Sequence, residues 1–243
     1  MLLERLRRDL VGVDVASSVA ERLRPLLPAV DADELHVELL RARLRRGERR
    51  ADEVRLGAAP EGDAAKLLPE LAALAADADR MRRRLEIDLR DDARRLDRSV
   101  GIEAEELLDA VDRKREIVET ARFVQAWALL HGALLARSTW VTERGDAWRP
   151  RTLQALEQFI ALLDTGFEDP RPEDVSMDRL GEDLYASALL GATLSRHQLE
   201  GPEAAAPWWA LLKTPAQRRR FGEAHRDGVS MHWRSGVHLT SPR

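Results

Sequence analysis

A chain of 243 residues with 44% apolar composition can bury one sizeable core, and a net charge of −4 is too small to point to a class of partner. With no cysteine it can form no disulfide, thiolate metal site or cysteine nucleophile. The most apolar stretch, Phe123 to Ala136, is shorter than the roughly 20 residues of a spanning helix, so no membrane association is expected and a cytoplasmic location is the default.

Charged residues make up 34% of the chain, which favours long exposed helices over sheet. Only Lys66, Lys114 and Lys213 among 39 basic residues are lysines; the rest are arginines, whose planar forks grip carboxylates and phosphates. Residues 1–122 contain no aromatic side chain, and all eleven aromatics lie between Phe123 and Trp233. The first half must therefore pack through Leu, Val, Ile and Ala, as helical hairpins do, while the second can form a denser core.

The N-terminus, MLLERLRRDLVG, spaces charges every few residues and has no signal-peptide apolar region. Residues 1–50 read as two or three short helices. The clearest has Asp31 and Glu34 at capping-box spacing, a stripe of Leu35, Leu39 and Ala42 joined by Leu40 and Leu44, and Gly47 as its expected stop. His36 flanks that stripe as a half-buried structural histidine. Residues 48–62 read as a linker, with EVRL the sole, very short, strand candidate.

From Asp63 a long helix is expected, with Pro69 tolerable only near its first turn. Leu67, Leu71, Leu74, Ala78, Met81, Leu85, Leu89, Ala93, Leu96 and Val100 form a heptad-like seam with a discontinuity near Leu89. Asp79–Arg83, Glu86–Arg90 and Asp91–Arg95 place each acid four residues ahead of a base, which predicts a self-neutralised outer face. SVGI at 99–102 breaks the pattern, and Glu103, Glu105 and Glu106 suit the start of a second long helix. Leu108, Val111, Val118, Ala121 and Ala128 form its inner stripe. From Phe123 it is apolar nearly all round and should be buried on several sides. The pair predicts an antiparallel hairpin roughly 50 Å long.

Pro150 opens a further helix, striped by Leu153, Leu156, Phe159, Ile160 and Leu163 and ended at Gly166. Ser176 is the expected cap of the next, in which Gly181, Ala188, Ala192 and Ser195 allow close packing. GPEAAAP reads as the separator of a final segment. The organisation is thus all-α: short N-terminal helices and linker at 1–62, a long helical hairpin at 63–140, and a C-terminal helical region at 141–243.

Motifs for chemistry are sparse. GAAPEGD, Gly57 to Asp63, has phosphate-loop glycines but Asp63 where lysine is needed. Asp91 and Asp92 lie opposite Asp109 and Asp112 across a hairpin, as Mg²⁺ ligands can, yet Arg94, Arg95, Arg113, Lys114 and Arg115 crowd them. His197 and Glu200 share adjacent turns in the reverse of the di-iron order. His225, His232 and His238 are weak metal candidates, and no cofactor is expected.

The last segment, Pro207 to Arg243, sets seven Lys and Arg against Glu223 and Asp227. Arg218, Arg219, Arg220, His225, Arg226, His232, Trp233 and Arg234 are candidates for anion or nucleic-acid binding, Trp233 by stacking. The favoured reading of this segment, ahead of that binding role, is that it docks on the chain's own acidic body. The favoured function is a non-catalytic interaction or scaffold protein that self-associates through the hairpin, with a homo-oligomer or another protein as partner. A nucleic-acid binder using the C-terminal segment stands second. An all-α enzyme with a metal or small-molecule site in the aromatic half, beside Trp127 and Tyr185, stands third.

Overall fold

The computed structural model describes residues 12–60, 62–137 and 147–212, and among these every regular element is helical. In chain order the α-helices are α1 (Val13–Leu23), α2 (Ala29–Arg55), α3 (Asp63–Leu96), α4 (Ile102–Arg137), α5 (Trp148–Leu163), α6 (Asp183–Glu200) and α7 (Pro202–Leu212), with short 3-10 turns at Arg24–Leu26, Pro172–Asp174 and Asp178–Gly181.

The hairpin of α3 and α4 is the axis of the molecule. Its turn needs a left-handed residue, which Gly101 supplies at φ 67°. Arg82 Nε donates to Gln125 Oε1 at 3.3 Å, Arg122 meets Glu86 at 2.8 Å, and Lys114 meets Asp92, three rungs that fix an antiparallel register. Pro69 lies in the second turn of α3, deeper than expected. Its ring and the neighbouring Ala65 are exposed, so the Ala65 carbonyl left without an N–H can turn to water.

α2 lies along this hairpin, antiparallel to α3 through Arg50–Asp63 at 3.0 Å and Arg84–Asp33 at 2.5 Å, and parallel to α4 through His131–Glu48 at 3.5 Å and Arg113–Asp31 at 2.5 Å. It is a 27-residue helix, longer than the one expected to end at Gly47. Gly47 does not stop it. A Cβ there would sit 3.0 Å from Leu71 Cδ2, so glycine allows α2 and α3 to approach closely. Residues 48–55 of the expected linker, including most of the EVRL strand candidate, are its last turns, where Ala51 and Val54 are buried, and the connection to α3 begins at Leu56. The capping box is absent too. Pro28 precedes α2, and Asp31 and Glu34 instead accept hydrogen bonds from Arg113. Two apolar faces explain the length of α2. Leu35, Leu39 and Ala42 pack under Ala16 and Ala20 of α1, while Val37, Leu40 and Leu44 join the main core.

At the other end, α4 is buried on nearly every side from Val124 to Ala136, as its composition requires. α5 covers it with Phe159 edge-on to Trp127, centroids 5.3 Å apart, and Arg137 lies 4.8 Å over the Trp148 ring. α6 is buried all round, and Gly191 is its closest contact: a Cβ there would come within 2.2 Å of Phe159 Cζ. Ala188, Ala192 and Ser195 are fully buried beside it, whereas Gly181 belongs to the preceding 3-10 turn. Ser176 caps no helix; α6 begins at Asp183. α5 stops at Leu163, where Asp164 takes φ 47°, before Gly166 is reached. GPEAAAP is not a separator but the start of α7, which follows Gly201 at φ 96° and buries Ala205, Trp208 and Leu212. Arg196 ties these parts together, pairing with Asp169 and Glu200, donating to the Pro170 carbonyl at 3.3 Å and lying 4.9 Å over Trp208.

Gly191→Ala forces a methyl group into a fully buried phenylalanine. It is expected to lower the unfolding free energy by about 1–3 kcal/mol. Adding Phe159→Leu should recover part of that loss by chemical denaturation, and two changes that simply add would sink the contact.

Candidate interaction surface

The seam of α3 is buried from Leu67 to Leu85, half-buried at Leu89 and Leu96, and interrupted at Ala93, which is exposed. The cause is angular. Successive steps of four residues rotate the stripe, so Ala93 has turned about 120° away from Met81, whereas Asp92 stands within about 20° of it. Asp92 therefore takes the inner position and is 7% exposed. It is held there by Lys114 across the hairpin and by Arg95 at 3.9 Å. On α4 the inner stripe loses Leu108, which is 45% exposed, while Val111 remains buried.

The cover provided by α2 ends at Asp31–Arg113 and Asp33–Arg84. Beyond these pairs, among the described residues, the two helices continue without a third for roughly ten residues each, about 15 Å. Leu96 and Leu107 are half-buried there and pack on neither apolar core cluster, and Val100 and Ile102 project into solvent at 85% and 76% exposure.

The charged face of the hairpin below this point is internally paired, though not always as the spacing predicts. Asp79 binds Arg83 at 2.8 Å and Arg82 at 2.6 Å, but Glu86 takes Arg82 and Arg122 in place of Arg90, and Asp91 takes Arg94 in place of Arg95. Burial works against ionisation of Asp79 and Glu86. The hydrogen bonds from their arginines outweigh it and hold both carboxyls below their usual range. Three of the four facing aspartates at the turn are salt-bridged, Asp91 to Arg94, Asp92 to Lys114 and Asp112 to Arg115. No group of three metal-binding side chains occurs among the described residues.

The other candidate positions resolve into packing. Trp127 and Tyr185 are core residues, and Tyr185 Oη accepts the Ser176 N–H at 3.0 Å. Glu200 is paired with Arg196, and His197 lies against Trp209 with ring centroids 6.5 Å apart. Arg218, Arg219, Arg220, His225, Arg226, His232, Trp233, Arg234 and His238 lie outside the described residues. No described helix is long and apolar enough to cross a membrane. The surface that sequence reasoning missed is the hairpin's free end. Its one signal was the run of four-residue steps from Met81 to Ala93.

Two checks follow from this chemistry. Removing either partner of Asp92–Lys114 strands a largely buried charge, whereas Asp92→Leu with Lys114→Met removes both. The double-mutant cycle should show a coupling of about 0.5–3 kcal/mol, and zero coupling would reduce the pair to coincidence. Burial, aided by Arg24 at His36 and Arg137 at His197, lowers both histidines below their usual range, with Asp77 and Asp33 opposing at His36. The unfolded chain then takes up protons near pH 6.5 that the folded one refuses until its lower values are reached. Stability present above about pH 6.5 is expected to be lost as the pH falls below it through the lowered values of the folded state. The double variant His36→Gln/His197→Gln should flatten that slope of thermal midpoint against pH.

Compared with known proteins, the chain matches no family model, no curated protein and no solved structure.

Proposed function

We propose that the protein is a non-catalytic helical interaction protein that self-associates through the free end of its hairpin. The observation that carries this reading is the apolar seam left uncovered beyond α2: half-buried Leu96 and Leu107, with Leu108, Val100 and Ile102 exposed. Two helices alone cover a seam from one side only, and a further pair of helices completes the bundle. Most of the hairpin does not need such a partner. α2 covers its middle and α5 and α6 its base, so the surface available for association is narrower than the sequence suggested. Asp79, Arg82, Glu86, Asp92, Lys114 and Arg196 meet in ion pairs that hold helices together, which suits a structural role for them.

Sedimentation velocity at micromolar concentration should show more than a monomer. Val100→Asp with Ile102→Asp changes two exposed side chains and should leave the circular dichroism spectrum and thermal midpoint in place while shifting the protein to monomer. A wild-type chain that stays monomeric, or a double variant that still associates, would overturn the reading.

A further inference from the structure

Resting on the tip as a self-association surface, we infer that its partner is a second copy of this chain, placed by a two-fold axis running along the hairpin so that the basic last turns of α3 face the acidic first turns of α4 in the other copy.

The inference starts from how charge is divided at the tip. Over residues 90–98, the end of α3 and the start of the turn expose Arg90, Arg94, Arg95 and Arg98 against Asp91, which pairs with Arg94, and Asp97. Over residues 102–112, α4 exposes Glu103, Glu105, Glu106, Asp109 and Asp112 and has no basic residue. The helix dipoles account for the signs, since bases suit the end of α3 and acids the start of α4. They do not account for the missing pairs. Lower on the hairpin, charges meet across it at Glu86–Arg122 and Asp92–Lys114. At the tip, Glu103, Glu105, Glu106, Asp109 and Arg98 make no ion pair among the described residues.

A partner of one sign, such as a polyanion, would be repelled by half of this surface. A second copy presents the same two runs in exchanged order, and a two-fold axis brings opposite signs together on both sides at once. The axis must lie along the hairpin because both runs end at the same turn, so basic and acidic stretches stand at equal height. An axis across the hairpin would instead set each helix against its own copy. The chosen arrangement also makes each α3 an antiparallel neighbour of the other copy's α4, as in a four-helix bundle, and it closes the seam over Leu96 and Leu107. Val100 and Ile102 flank the turn where the two copies meet.

The test uses the full chain in two charge-reversed forms, Arg94→Glu/Arg98→Glu and Glu103→Lys/Glu105→Lys/Glu106→Lys, with sedimentation equilibrium as the readout. Each form alone sets like charges against each other twice and should associate about tenfold or more weakly than wild type. Mixed in equal amounts, the two should form a one-to-one heterodimer near wild-type affinity, because reversed α3 meets reversed α4 at one contact and unreversed α3 meets unreversed α4 at the other, each with opposite sign. Wild-type association that survives both reversals, yet is lost in Val100→Asp/Ile102→Asp, would overturn this arrangement and leave the tip reading standing. Loss in both forms with no recovery on mixing would also overturn it. A monomeric wild type would end both.

Discussion

The second half of α4 has no side that tolerates water. From Val124 to Ala136 nearly every residue is buried, and no single neighbouring helix can cover such a cylinder. The rest of the molecule is arranged to surround it: α3 and α2 on two flanks, α5 on a third, and α6 behind α5 with Gly191 against Phe159. The aromatic boundary at Phe123 marks the start of this wrapped segment, and Trp127 and Phe159 supply its largest contacts. The other half of α4 is ordinary amphipathic helix, and among the described residues its first ten pack against the end of α3 alone.

Between these extremes, polar rungs fix how the helices slide. Exposed arginine–carboxylate pairs each contribute about 0–1 kcal/mol, too little to hold the fold. They can still choose among registers that the apolar seam leaves nearly equal. Leucine and alanine stripes tolerate a shift of one heptad; a shift of the same size would separate Arg82 from Gln125, Arg122 from Glu86 and Lys114 from Asp92 together. The Asp92–Lys114 pair has the strongest effect, because its charges are largely removed from water and misalignment would leave both unpaired.

Helical content, the hairpin and the buried end of α4 were legible because each rests on many residues repeating one pattern. The misreadings concern single residues whose local preference was overridden by packing. Gly47 ends a helix when nothing else acts on it; here Leu71 presses against it and the helix continues. Pro69 breaks a hydrogen bond in α3, but on a solvent-facing turn where water can replace it. Asp31 and Glu34 had capping spacing and were drawn instead to Arg113, 79 to 82 residues away in sequence, a partner that spacing along one helix cannot reveal. Gly191 went unremarked for the same reason, since its role depends on a phenylalanine from another helix.

The tip unites these themes. An unbroken heptad would have kept apolar residues inward to the turn, and the hairpin could then have closed on itself with little left exposed. Three steps of four residues in α3 rotate the stripe outward and bring Asp92 in. One consequence is specificity, because the inward aspartate has to find Lys114. The other is incompleteness, because Ala93 is turned out to solvent. The irregularity that fixes the hairpin's own register is therefore the one that leaves its free end apolar, and the two consequences cannot be separated by any substitution that restores the heptad.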